Sequence, residues 1–148
     1  MAYIIGIAIK ENKRFPMQEL SFVEVSEENG LHGDFRGTGG FGRKRQVTIL
    51  SIQQWERACS TIGVLLPWHT RRANLCVDGL TFGPQDVGKK LLVGTVTLEI
   101  TGETEPCKRM DEAVSGLRAT LSQEWRGGVT CRVIKGGIIK IKDPVVFI

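Results

Sequence analysis

Histidine is scarce in this chain. Only His32 and His69 occur among 148 residues, and neither has a partner at metal-ligand spacing, which argues against a histidine-built metal site. None of the four cysteines falls in a C-x-x-C pair, so a zinc site of the usual spacing is disfavoured too. There is one tyrosine and there are six phenylalanines, and no strand-like run interleaves aromatic with basic residues. A stacking platform for single-stranded nucleic acid is therefore unsupported. No apolar run approaches the ~20 residues of a membrane-spanning helix. The glycine-rich stretch lacks Gly-Lys-Ser/Thr, so it is no Walker loop, and no Ser-His-Asp grouping suggests a catalytic triad. The opening run MAYIIGIAIKENKRF has no basic region before its apolar stretch and no small-residue cleavage site after it. It reads as a strand, not as a signal peptide, and a reduced, cytoplasmic protein is the default expectation.

What is present suits a folded protein. Hydrophobic residues make up 41% and charged residues 24%. The length fits a single domain over residues 1–148, able to remove roughly two-thirds of its unfolded surface from water. Eighteen glycines against five prolines imply many tight turns, and without a period of three they exclude collagen. The net charge of +4 is uneven: residues 1–29 hold three basic and five acidic side chains, residues 30–72 seven basic and two acidic. A basic middle suits an anionic partner such as a phosphate, a nucleic acid or an oxyanion cofactor; the plainer alternative is a solvated surface with a mild bias.

Tyr3 to Ile9 reads as a buried strand, Glu11 to Glu19 as a loop, and Ser21 to Val25 as a half-buried strand ended by Glu27 to Gly30. Five glycines between Leu31 and Gly42 predict neither strand nor helix there. Arg45 to Leu50 reads as a strand. Ser51 then caps a helix, with Gln54 at capping-box spacing, Ile52, Trp55, Cys59 and Ile62 on one face, and Gly63 as terminator. Asn74 to Val77, two pieces of Lys90 to Ile100 broken at Gly94, Val129 to Lys135, Ile138 to Ile141 and Val145 to Ile148 read as further strands. Pro106 to Ala113 reads as a short helical turn. Seven or eight strands without regular β-α alternation predict a mainly β fold: a barrel-like, mostly antiparallel sheet with one or two short helices.

Cys107, in TGETEPCKRMDE, is the strongest candidate for chemistry. A thiol just inside a helix N-terminus meets unpaired N–H groups and the positive end of the dipole, both of which favour thiolate. Lys108 and Arg109 reinforce this; Glu103 and Glu105 oppose it. The alternative is an inert structural thiol. Cys59, Cys76 and Cys131 lie within apolar patterns and read as core. The segment GLHGDFRGTGGFGRKRQ places backbone N–H groups beside Arg36, Arg43, Lys44 and Arg45, either an anion cradle or a flexible surface loop. Arg71, Arg72 and Asn74 precede a strand; arginine offers a planar fork for phosphate, and asparagine a donor and an acceptor.

In this order, these pieces resemble the MOSC family, the domain found at the C-terminus of molybdenum cofactor sulfurases and in the mitochondrial amidoxime-reducing proteins. The resemblance runs over about residues 30 to 148 and fits a short stand-alone bacterial member. It rests on Gly33-Asp34 with Arg45-Gln46-Val47-Thr48, on Arg72-x-Asn74 before Gly79, and on Leu92-Val93-Gly94, Thr101-Gly102 and Pro106-Cys107. Gly128-Val129, Gly136-Gly137 and Asp143-Pro144-Val145 complete it. Many members carry histidine after the Gly-Asp pair, where this chain has Phe35-Arg36.

The resemblance implies a β-barrel-like fold and molybdenum cofactor (molybdopterin), with Cys107 as molybdenum ligand or as carrier of a persulfide sulfur. By the same carry-over, Arg72 and Asn74 would contact the pterin or its phosphate. From the reading of the residues themselves, Arg71, Arg45 and Arg43 join them as cofactor-binding candidates. Three readings follow. One is a molybdoenzyme reducing N-hydroxylated compounds and served by an electron-transfer protein. Another is a metal-free sulfur carrier fed by a cysteine desulfurase, with pyridoxal phosphate confined to that partner. The third and weakest is a small basic barrel that binds nucleic acid. No membrane partner is expected.

Overall fold

The isoleucine-rich N-terminal run forms β1 (Tyr3–Ile9), with Ile4, Ile7, Ala8 and Ile9 buried. The computed structural model describes all 148 residues. After β1 come β2 (Gln18–Glu19), β3 (Phe22–Ser26), β4 (Gly30–Leu31), β5 (Val47–Ser51), α1 (Ile52–Thr61) and β6 (Leu75–Asp78). Then follow β7 (Lys90–Val93), β8 (Val96–Glu103), α2 (Lys108–Ala113), α3 (Leu117–Leu121), β9 (Val129–Lys135), β10 (Gly137–Lys140) and β11 (Val145–Phe147).

Eight strands make one sheet in the order β11-β7-β8-β9-β5-β6-β1-β2, and β10-β3-β4 make a second. Every pairing is antiparallel except β5 with β6, whose connection carries α1. The ladder is not a continuous closed barrel, yet its ends approach. The Ile4 N–H donates to Asp143 O at 2.9 Å and the Val145 N–H to Ala2 O at 3.0 Å, which lays β1 along the chain entering β11. The architecture is thus mainly β and barrel-like. No helix is long and apolar enough to cross a membrane.

Inward side chains of the strands fuse into one core that includes Ile4, Leu31, Ile49, Leu75, Leu98, Ile100 and Val129. A smaller cluster of Leu50, Trp55, Ala58, Ala73, Met110, Leu117 and Leu121 binds α1, α2 and α3 to the β5–β6 side of the sheet. Ser51 Oγ accepts from the Gln54 N–H at 3.3 Å, so the predicted cap is present. The Gln54 side chain does not return to it. It bonds both backbone groups of Phe82 and the Glu124 carbonyl, welding α1 to two distant loops.

Several sequence expectations need correction. There are three short α-helices, not one or two. The third, α3, starts behind Gly116 at φ +91° with no side-chain cap, so no local signal announces it. Leu31 is not irregular: it pairs with Val25 in β4 and is fully buried, because it precedes the glycines that would break a ladder. Phe35–Gly37 form a 3-10 turn, and a side chain at Gly37 would collide with the Asn29 carbonyl. β8 runs on past Ile100 to Glu103, after a register shift that sets it against Thr130 and Val129.

Candidate functional site

The route to Cys107 begins at the end of β8. The Thr104 N–H donates to Gly128 O at 2.8 Å, Pro106 is buried, and the chain turns outward. Cys107 is the N-cap of α2, in extended conformation (φ −115°, ψ 179°), and its side chain makes no capping bond. It therefore sits before the helix, not inside its first turn as the Pro106 start predicts, and α2 has only six residues. Its thiol is exposed, whereas Cys59, Cys76 and Cys131 are buried. Burial raises all three buried thiols, Cys76 to about 12, with the charges of Asp78 and Glu56 adding to the effect.

The 3-10 turn Trp68–Arg71 ends on Arg72 in the left-handed conformation, φ 66° and ψ 29°. This reversal sends the two adjacent arginines different ways. Arg71 turns inward and is only 6% exposed. Its Nε donates to Gly127 O at 3.0 Å and its Nη2 to Thr104 O at 2.9 Å, while Nη1 has no partner within the protein. Burial, then the neighbouring charges of Arg45 and Arg36, lowers its pKa to about 10, with Cys107 and Glu103 opposing. Arg72 reaches across to the Phe15 carbonyl through Nη2 and leaves a buried Nε unpaired.

These side chains meet in one cleft of about 150 Å³. Cys107 and Thr104 line it together with Arg36, Arg45, Arg71, Arg72 and Arg109. Glu105 is the sole acidic lining residue against five guanidinium groups. Thr104 Oγ1 is buried and has no hydrogen-bond partner. Five guanidinium groups against one carboxylate leave a strong excess of positive charge, beside unsatisfied donors, and such a lining suits an anion.

The remaining candidates lie elsewhere. Arg43 belongs to an adjoining cavity of about 460 Å³, which shares Arg36 and Arg45 with the cleft. Asn74 does not line either cavity. It is buried beneath the cleft, where Oδ1 accepts from the Thr48 N–H and Oγ1 at 3.0 and 3.3 Å and Nδ2 donates to Ala8 O at 3.2 Å. Its amide ties β5 to β1 and is spent on the scaffold. A larger groove of about 690 Å³ follows α1 and the loop to Trp68, but Glu56 is its only charged group.

A scan of family models matches the MOSC domain over residues 36–146. The chain belongs to the MOSC domain family. Solved structures agree on the fold. YuaD from Bacillus subtilis superposes with a TM-score of 0.72 at 20% identity, covering 98% of this chain and 94% of that one. YiiM from Geobacillus stearothermophilus gives 0.78 at 17% identity, with 100% and 75% covered. YiiM from Escherichia coli gives 0.74 at 16%, with 100% and 70% covered. The curated proteins contain no match.

Within this MOSC fold, sequence reasoning finds Cys107, Arg45, Arg71 and Arg72 together. It offers Arg36 only as part of an anion cradle in the glycine-rich segment and Arg109 only as local charge, although both line the cleft. It misses Thr104, an ordinary polar residue in sequence, and Lys10. Lys10 ends β1's apolar run, is 3% exposed, and has no hydrogen bond or ion pair for its ammonium group. Burial, then Arg36 and Arg72, push its pKa down to about 8, against the pull of Asp34. Asp34 itself accepts from the Lys10 N–H at 3.0 Å through Oδ1 and leaves Oδ2 unpaired; burial raises its carboxyl.

Proposed function

We propose that the Cys107 cleft binds molybdenum cofactor, with the Cys107 sulfur as a ligand to the metal and the arginines as counter-charges to the pterin's phosphate. One observation carries this reading: the one exposed thiol of the chain lines the cleft where five guanidinium groups converge. The donor set fits. A thiolate is the soft ligand that a sulfur-rich metal centre accepts. Arg71, held through Nε and Nη2 by the carbonyls of Gly127 and Thr104, keeps Nη1 free as a rigidly placed charged donor for an oxyanion. The unpaired Thr104 hydroxyl and Arg72 Nε offer two further donors.

When bound, the cofactor supplies a redox centre able to reduce N-hydroxylated compounds, with electrons delivered by a separate transfer protein. The chain's own residues bind and orient. Arg71 and Arg45 neutralise charge beside Cys107, and the buried Thr104 backbone holds the approach to the thiol fixed. Four free thiols agree with a cytoplasmic setting.

The test is expression in a host that makes the cofactor, followed by metal analysis and fluorimetry of the oxidised pterin. We expect about one molybdenum per chain in the wild type and loss of the metal in Cys107→Ser. Equal molybdenum in both proteins removes the ligand role from this thiol.

The exposure of Cys107 favours one second reading, sulfur relay. Its thiolate would attack the terminal sulfur of a persulfide on a cysteine desulfurase; the donor's S–S bond breaks and the donor leaves as thiolate. Pyridoxal phosphate belongs to that enzyme. A one-sulfur adduct on Cys107, seen by mass spectrometry after incubation with a desulfurase and cysteine, supports relay; an unmodified chain rejects it.

A further inference from the structure

The cavity that adjoins the thiol cleft is unassigned by the reading above. It is three times as roomy, and its lining gathers Lys10, Lys13, Arg36, Arg43 and Arg45 without a carboxylate. Two of its cations are fixed in place. Arg43 is anchored through Nη2 to Arg36 O at 2.6 Å and Thr38 O at 2.7 Å, while its buried Nε has no partner. Lys10 is nearly enclosed and makes no ion pair at its ammonium group; Asp34, the one nearby carboxylate, is outweighed by the charges of Arg36 and Arg72. Held cations that repel one another need an anion to complete them. Phe35 adds an aromatic ring, 42% exposed, on the same lining.

We propose that this cavity is a binding site for a nucleoside 5′-phosphate, with the phosphate among Lys10, Arg36 and Arg43 and the base on the ring of Phe35. Neither element suffices alone. Cations select the phosphate but are indifferent to what it carries, whereas an aromatic face gives a planar base its extra affinity. The volume falls in the range of pockets that take small organic ligands. Two sources share the chemistry. One is a free nucleotide. The other is the nucleotide half of a dinucleotide cofactor, lying across the shared Arg36 and Arg45 with its pterin in the thiol cleft; only this second source rests on the function proposed above.

Calorimetry on the purified chain separates site from surface, with adenosine and guanosine 5′-monophosphates, inorganic phosphate and adenosine as probes. We expect a nucleotide to bind about tenfold tighter than phosphate or nucleoside, with affinity falling as salt rises. Phe35→Ala should bring nucleotide down to the level of phosphate, and Lys10→Met should weaken both about tenfold. If Lys10→Met fails to fold, Lys13→Ala, at an exposed position, tests the cationic half. Cys107→Ser should leave these titrations unchanged, so failure of the molybdenum reading does not touch them. Equal binding of nucleotide and phosphate, or no response to Phe35→Ala, overturns the proposal. A second arm finds the source: acid hydrolysis of protein from a cofactor-producing host. One nucleoside monophosphate per molybdenum assigns the dinucleotide; molybdenum without nucleotide, alongside positive titrations, assigns the free nucleotide.

Discussion

Position 127 is glycine because a Cβ there would lie 2.5 Å from the Thr104 carbonyl and 3.3 Å from Arg71 Nη2. The missing side chain lets one guanidinium bridge two backbone segments. Gly127→Ala is expected to cost about 1–3 kcal/mol in urea unfolding and to weaken anion binding, since Arg71 loses its seat. The four thiols should differ as sharply. Brief treatment of the folded chain with iodoacetamide should give one adduct, on Cys107, by peptide mass spectrometry, because the other three are buried with raised pKa values. Lys10 supplies a pH signature. Its folded pKa of about 8 lies below the ordinary 10.5, so the unfolded chain binds the proton more tightly. Its charge therefore opposes folding most below pH 8, and the penalty fades as pH rises towards 10.5. Lys10→Met should raise the Tm at pH 7 relative to wild type, with the gap closing by pH 10. A constant gap would mean that the lysine acts through packing alone.

At the level of elements, the strands with simple apolar patterns are legible in the sequence, and so is the Ser51 cap. What is not legible arises from tertiary pairing. Gln46 looks like one residue of a strand, yet it is fully buried, donates to Glu27 O at 2.7 Å and Gly40 O at 3.2 Å, and accepts from the Val133 N–H at 2.8 Å. It stitches the glycine-rich segment to β9, which is why that segment can carry Arg36 and Arg43 in place. Asn74 teaches the converse. Beside Arg72 it looks like a binding residue, but its amide is consumed by Thr48 and Ala8. Asn74→Ala leaves a strand N–H and a carbonyl buried without partners, and should lower stability by about 3 kcal/mol in chemical denaturation. Ser51→Ala removes only the cap and should cost about 1 kcal/mol.

Across the whole molecule, the sequence reveals the basic bias of the middle segment but not its convergence. Arg36, Arg71 and Arg109 come from three separate stretches and meet only because the β5–β6 crossover, the glycine-rich segment and the β8–α2 turn share one end of the sheet. Lys10 joins them from a fourth stretch, through β1's place beside β6. Phe35-Arg36 follow the Gly33-Asp34 pair, and the fold sets Arg36 in the lining of both cavities and Phe35 in that of the larger.

The lone reachable sulfur also dictates how the protein ages in a tube. Air oxidation can join two copies through their Cys107 atoms, but doing so presses two guanidinium-lined rims together. In dilute buffer that repulsion should keep the chain monomeric for long periods. Salt shortens the reach of the repulsion, so covalent pairing on a non-reducing gel should accelerate as sodium chloride is added. A rim of like charge thus also guards the thiol from its twin.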